Sequence, residues 1–147
     1  MLWKNRCWNP RKPKLSPFDR STIRLFSEYR RVRSRRGKWR AHYVPKPKKR
    51  TALLRKLKEI FRRNVSQPVN RVIELINPIL RGWVNYFAVG DSKRCFSYIK
   101  LCVEKKVRRH LMRARGRKGF GWKRWSTQWL YDTLGLFNDY RFVRAIG

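Results

Sequence analysis

The residues in this sequence whose types and spacing could do chemistry are arginines and lysines, and that chemistry is the binding of anions. The 147-residue chain carries 40 Lys and Arg against 8 Asp and Glu, a net charge of +32. Such self-repulsion destabilises a compact chain unless an anionic partner neutralises it. A nucleic acid and an anionic membrane surface both fit. Nucleic acid is favoured because the charge extends along the whole chain and alternates with aromatic residues, whereas membrane binders concentrate charge on one amphipathic helix.

The candidate nucleic-acid-binding residues fall into three clusters, on a predicted hairpin, in a short basic linker, and at the end of a long helix with its glycine-containing loop. The third is the strongest candidate, since cations suit a helix C-terminus and the loop can follow a phosphate backbone. Phe120, Trp122 or Trp125 could stack there on unpaired bases. The alternative is solvated surface charge, with the tryptophans in the core. The clusters comprise Arg33, Arg35, Arg36, Lys38 and Arg40; Lys48, Lys49 and Arg50; and Lys105, Lys106, Arg108, Arg109, Arg113, Arg115, Arg117, Lys118, Trp122, Lys123 and Arg124.

The remaining reactive side chains predict no catalytic residue, metal or cofactor. Two-metal catalysis needs carboxylates held close together, and no two acidic residues are adjacent in the sequence. Cys7, Cys95 and Cys102 are an odd set without tight spacing, which favours neither a disulfide framework nor a zinc site. His42 and His110 have no carboxylate or cysteine neighbour in the sequence.

The elements that would position these residues are mostly helical. Strand-favouring residues around the turn Ser34–Gly37 predict a β-hairpin, residues 28–34 paired with 38–44. Apolar residues at helical spacing then predict a series of helices. Thr51 caps the first, over ALLRKLKEIFRRN; Ser66 caps the second; Asn77 caps a separate helix over about Pro78–Val89; Ser92 caps a long one over about Lys93–Ala114; and a short helix covers STQWLYDTLGL.

The stretch NPILRGWVNYF is nearly uncharged in this basic chain. Its apolar residues Ile79, Leu80, Trp83, Tyr86 and Phe87 share a broad helical face, which predicts the central core helix of a bundle. Gly82 lies beside that face, and its unfavourable helix propensity suggests close approach of another backbone. Arg81 and Asn85 lie on another face and are candidates for contact with a partner.

The predicted fold is therefore mainly α, a short N-terminal β-hairpin followed by a small helical bundle. We divide the chain into a disordered or poorly docked arm (1–27), the hairpin and basic linker (28–50) and a helical domain (51–147). No apolar run is long enough to span a membrane, and the N-terminus lacks the apolar region of a secretory signal. We expect a cytoplasmic protein of the bacterial intracellular type.

The stretch INPILRGWVNYF resembles the signature of the maturase-specific domain, also called domain X or thumb, of group II intron-encoded reverse transcriptases. The segment YRRVRSRRGKWRAHYVPKPKKRTALLRKLKEIFRRN is similar to the junction of palm and thumb, and CFSYIKLCVEKKVRRHLMRARGRKGFGWKRWSTQWLYDTLGLFNDYR to the C-terminal end of bacterial members. The resemblance covers about residues 29–144.

The resemblance implies a helical domain that grips group II intron RNA and helps it reach its splicing-competent fold, while the RNA performs the chemistry. It also implies possible contact with DNA or an RNA–DNA duplex. The family's Tyr-X-Asp-Asp polymerase motif and clustered zinc ligands are missing, and residues 1–27 depart from the palm pattern. Three interpretations stay open: a maturase-type module, a thumb subunit working with a separate fingers–palm chain, and a non-functional truncated remnant.

Overall fold

A computed structural model describes residues 27–88 and 92–141. The elements are β1 (Ser27–Arg33), β2 (Trp39–Pro45), α1 (Pro47–Arg63), α2 (Val69–Tyr86), α3 (Lys93–Ala114) and α4 (Thr127–Asp132). The predicted fold class, a hairpin followed by a helical bundle, is confirmed. The predicted arm of residues 1–27 falls outside the described residues except for Ser27, and so does the predicted helix end at Val89.

The hairpin pairs β1 and β2 antiparallel, with Tyr29 opposite Tyr43 and Arg33 opposite Trp39. Residues directly across from each other share a sheet face, and alternate residues on one strand do too. Tyr29, Tyr43 and Trp39 therefore lie on one face, where the two tyrosine rings are 5.3 Å apart. Gly37 closes the turn at φ +76°, a left-handed conformation that suits glycine.

Helix α1 begins earlier than predicted. Thr51 was expected to cap it and residues 46–50 to form a linker, but the N-cap is Lys46 and Pro47 is the first helical residue. Proline suits this position because its fixed φ is helical and its missing N–H would have no partner in the helix there. The basic residues Lys48, Lys49 and Arg50 consequently lie on the first turns of a helix.

Helix α2 runs without interruption through Pro78, so the predicted break and new helix at Asn77 are wrong. Its N-cap is Pro68 rather than Ser66, and the helix ends at Tyr86 rather than Val89. Val72, Ile76, Leu80 and Val84 explain the continuity. They recur every fourth residue across the proline and are all buried, so packing outweighs the hydrogen bond that Pro78 cannot donate.

Asn77 has a different role from the predicted cap. Its side-chain amide donates to the carbonyl of Gly135 at 2.8 Å, and its side-chain oxygen accepts from the N–H of Phe137 at 3.0 Å. Both bonds tie the middle of α2 to the segment that follows α4. That segment contributes Leu136 and Phe137 to the hydrophobic core.

The core lies between α1, α2 and α3 and is completed by α4 and the segment after it. Each of the three long helices contributes a stripe of buried apolar residues. Ser92 precedes α3 as predicted, although its hydroxyl donates to the carbonyl of Phe87 at 2.9 Å instead of capping its own helix. The core residues are Leu53, Leu57, Phe61, Val72, Ile73, Ile76, Leu80, Val84, Phe87, Cys95, Phe96, Ile99, Val103, Val107, Leu130, Leu136 and Phe137.

Candidate nucleic-acid interface

The loop between α3 and α4 presents most of the third basic cluster to solvent. Arg113 lies in the last turn of α3, and the exposed cations of the loop itself are Arg115, Arg117, Lys118, Lys123 and Arg124. Three loop glycines, at positions 116, 119 and 121, adopt positive φ. At Gly121 a side chain is also excluded by space, because a Cβ would lie 2.6 Å from the Trp125 ring. The glycines thus let a cationic loop fold back tightly onto α3.

The three aromatic residues of this loop differ in exposure. Trp125 is buried and therefore cannot serve as a stacking surface, whereas Trp122 keeps 47% of its surface exposed. Phe120 is half-buried, with the guanidinium of Arg109 4.9 Å from its ring centroid. Of the three, Trp122 is therefore the side chain best placed to stack on an unpaired base.

Arg108 does not belong to the solvent-facing cluster. Its side chain is only 1% exposed. Its Nε donates to the carbonyl of Trp125 at 3.2 Å, and its Nη2 donates to the hydroxyl of Thr127 at 3.1 Å. The guanidinium carbon also lies 4.3 Å from the centroid of the Trp122 ring. The predicted contact of Arg108 with nucleic acid is therefore wrong for this conformation, and Arg108 instead holds the loop in place.

Glu104 neutralises this buried arginine. Its carboxylate lies 3.4 Å from Nη1 of Arg108 and accepts a 2.6 Å hydrogen bond from the hydroxyl of Tyr131. Burial, followed by the Glu104 hydrogen bond and charge, raises the pKa of Tyr131 well above its ordinary value. Burial also raises the pKa of Tyr140. The network joins α3, the loop and α4 into one unit, and each polar group within it has a partner.

The first predicted cluster lies on the hairpin and the second on the first turns of α1, so neither belongs to the loop between α3 and α4. Arg33, Arg35, Arg36 and Lys38 are exposed at the turn end of the hairpin, while the side chain of Arg40 lies outside the described residues. In the second cluster, Lys48 is exposed on the first turn of α1. Arg50 reaches α3, where its guanidinium lies 4.6 Å from the centroid of the Tyr98 ring.

Helix α2 presents a polar face away from the core. Arg81 and Asn85 are exposed there, as residues that contact a partner must be. The expected close backbone approach at Gly82 is wrong within the described residues, none of which has an atom within 4 Å of a Cβ built there. Tyr86 was predicted in the core but is 38% exposed, because it lies at the edge of the stripe formed by the buried residues of α2. Trp83 is half-buried and packs against Phe87, with ring centroids 4.4 Å apart.

A basic cleft between α1 and α3 was not predicted. Lys58 and Arg62 of α1 face Lys106, Arg109 and Arg113 of α3 across a cavity of about 510 Å³. Burial lowers the pKa of Lys106, and the nearby charges of Lys58 and Arg109 lower it further. Sequence reasoning missed Lys58 and Arg62 because they are scattered between apolar residues. Their spacing of four, on the same side of α1 as the buried Phe61, was the available signal.

Within residues 27–88 and 92–141, no group of three or more His, Cys, Asp and Glu could hold a metal ion. Burial raises the pKa of the Cys95 thiol, as expected of a cysteine in the core, and Cys102 is half-buried. His110 is also buried, and its Nε2 lies 3.0 Å from the carbonyl of Gln67, to which it must donate because a carbonyl only accepts.

No helix in the described part of the chain has the length and apolar character to cross a membrane.

The amino-acid sequence matches one protein family. The group II intron maturase-specific domain matches residues 50–129, more than half of the 147-residue chain. The chain therefore belongs to this family, as the resemblance of its signature stretch implied. The matched region covers nearly all of α1, then α2, α3, the basic loop and the beginning of α4. The family is that of a non-catalytic domain. No curated protein and no solved structure matches the chain.

Proposed function

We propose that the chain is an RNA-binding maturase-type module that binds group II intron RNA and assists its splicing-competent folding. It would contribute neither a polymerase nor an endonuclease active site, and the splicing chemistry would belong to the RNA. The observation that carries the proposal is the loop between α3 and α4 of a maturase-specific domain. It presents cations and the exposed Trp122 together on a framework fixed by Arg108.

The proposed mechanism has two parts. Exposed arginines and lysines capture the phosphate backbone, a step without sequence preference that weakens as salt increases. Trp122 and the polar face of α2 at Arg81 and Asn85 then contact unpaired or irregular parts of the folded RNA. A protein that binds the active RNA conformation more tightly than its alternatives shifts the population toward it, by no more than that difference in affinity.

A splicing assay tests this proposal directly. A group II intron transcript would be incubated at a magnesium concentration too low for efficient self-splicing, with and without the protein. We expect the protein to raise the spliced fraction, and Trp122→Ala, which leaves the net charge unchanged, to reduce that gain. Splicing that is no faster with the protein than with a lysine polymer of equal total charge would contradict the proposal.

A second candidate function is supported by the hairpin. Tyr29 and Trp39, which share one face of the hairpin, are 50% and 64% exposed. Apolar side chains this exposed suit a surface that a partner covers. The chain would then be the thumb subunit of a split group II intron reverse transcriptase, joined to a fingers–palm chain and contacting an RNA–DNA duplex. Co-purification with a fingers–palm polypeptide that is abolished in Tyr29→Ser/Trp39→Ser would favour it. Unchanged co-purification would count against this surface.

A further inference from the structure

The cleft between α1 and α3 is concave and receives cations from both helices. Lys58 and Arg62 line one wall and Lys106, Arg109 and Arg113 the other. Phe61, Val65 and His110 also line it, and no acidic residue does so among the described part of the chain. A concave site with one sign of charge concentrates the field on whatever enters it.

The two helices that form the cleft run side by side in the same direction. Near their beginnings, Arg50 lies against Tyr98, and near their ends the rings of Phe61 and His110 are 5.9 Å apart. At about 1.5 Å per helical residue, these contacts are separated by roughly 16–18 Å along each helix. The cations are spaced three or four residues apart on each wall, so they recur about every 4.5–6 Å along the groove.

We propose that this cleft holds the sugar–phosphate backbone of an RNA strand and is the main electrostatic anchor of the protein. The inference rests on the proposed function, because it names the part of the RNA that this surface takes. Bases would be contacted elsewhere, at Trp122. Phosphate contacts in the cleft would position the RNA, and stacking on Trp122 would select its unpaired bases.

The occupant follows from the shape and charge of the site. Two parallel rows of cations suit a linear polyanion, which can bind several of them in succession, better than a single small oxyanion. A flat membrane surface cannot enter a concave groove. Without an anion, the cations of the two walls repel one another: burial lowers the pKa of Lys106 most, and the charges of Lys58 and Arg109 lower it further. Binding a phosphate backbone would remove that repulsion.

Two double variants with the same change in charge test the proposal. Lys58→Gln/Arg62→Gln removes two cations from the cleft, and Arg55→Gln/Lys56→Gln removes two exposed cations from the same helix outside it. Binding of the 147-residue protein to a group II intron RNA and to an unrelated structured RNA would be measured across a salt series. The slope of log affinity against log salt should fall by about 0.7 for each phosphate of a single strand that the protein no longer neutralises.

We expect the slope of the cleft variant to fall by about 1–2 on both RNAs, and that of the control variant to fall much less. Equal slopes and affinities for the two variants would overturn the assignment of the cleft. That result would not contradict the proposed binding of intron RNA by the protein. Failure of the proposed function has a different signature, since wild-type protein would then bind both RNAs equally whatever the cleft variant does.

Lysine labelling gives an independent readout that does not depend on a variant folding. A lysine-reactive reagent applied with and without RNA, followed by mass spectrometry, should show protection of Lys58 and Lys106 but not of Lys56. Inorganic phosphate at the same ionic strength should protect neither. Equal protection of Lys56, or protection of both cleft lysines by phosphate alone, would overturn the assignment of the cleft to an RNA backbone.

Discussion

The guanidinium of the buried Arg108 lies against the ring of the exposed Trp122, 4.3 Å from its centroid. A cation over an indole face is attracted by the ring electrons, and more strongly when it is desolvated. Because Arg108 is itself fixed by the Trp125 carbonyl and the Thr127 hydroxyl, the indole rests on an ordered support. The loop therefore offers a preorganised aromatic surface, and the entropy cost of ordering it when RNA binds is smaller.

Replacing Trp122 tests that surface. Trp122→Ala should weaken RNA binding by about 1–3 kcal/mol if one base stacks there, and Trp122→Phe should retain part of the affinity. The slope of affinity against salt should stay the same, because the substitution leaves every cation in place. Filter binding at several salt concentrations measures both quantities. An unchanged affinity would exclude Trp122 as a stacking residue.

Arg108 and Glu104 should behave as a coupled pair in unfolding experiments. Arg108→Met leaves the Glu104 carboxylate buried without its cation, and breaking a buried pair in this way destabilises by about 3–5 kcal/mol. Arg108→Met/Glu104→Leu should recover much of that stability, since neither variant residue leaves a buried charge. Urea unfolding of the single and double variants gives the free energies. Additive effects would contradict the coupling.

Asn77 gives a prediction about the link between α2 and the C-terminal segment. Asn77→Ala removes two hydrogen bonds and leaves the Gly135 carbonyl and the Phe137 N–H without that partner, which should destabilise by about 1–3 kcal/mol. Asn85→Ala, an exposed substitution on the same helix, should stay within about 0.5 kcal/mol of wild type. Thermal unfolding of the two variants would be compared, and equal stabilities would show that the link contributes little.

Stability should fall at alkaline pH through Tyr131 and Tyr140. Burial raises the pKa of both tyrosines, so the folded chain keeps protons that the unfolded chain releases near pH 10. The unfolded state then binds fewer protons, and the free energy of unfolding decreases as pH rises above about 10, while the contribution is complete below it. Tyr131→Phe should reduce this decrease. An identical alkaline decline in that variant would remove Tyr131 from the explanation.

Local patterns in the sequence were enough to predict much of the fold. The apolar spacing of Leu53, Leu57 and Phe61 predicted α1, and the hairpin followed from its turn and strand-favouring residues. The continuity of α2 through Pro78 was not predicted, because the local rule about the residue before a proline outweighed the apolar stripe on both sides of it. Thr51 has a residue type that suits a cap, although Pro47 already marks a first helical turn.

The candidate site was harder to predict, because its geometry depends on contacts between distant residues. In sequence, Arg108 resembles any other cation of a basic helix. It is buried because residues distant in sequence pack against it, among them Trp125 and Thr127, 17 and 19 residues away. Glu104, four residues before it, was the one local sign of a partner. The cleft likewise needs α1 and α3 side by side, a packing that no single segment of sequence specifies.

The most direct test of the proposed maturase function is a competition between RNAs for the purified protein. A group II intron RNA and an unrelated structured RNA of equal length would compete for binding as salt is raised. The account predicts a preference for the intron RNA that persists at high salt, because recognition of RNA shape does not vanish when phosphate contacts are screened. Equal binding to both RNAs, declining together as salt rises, would contradict it and leave a basic protein with no selectivity for introns.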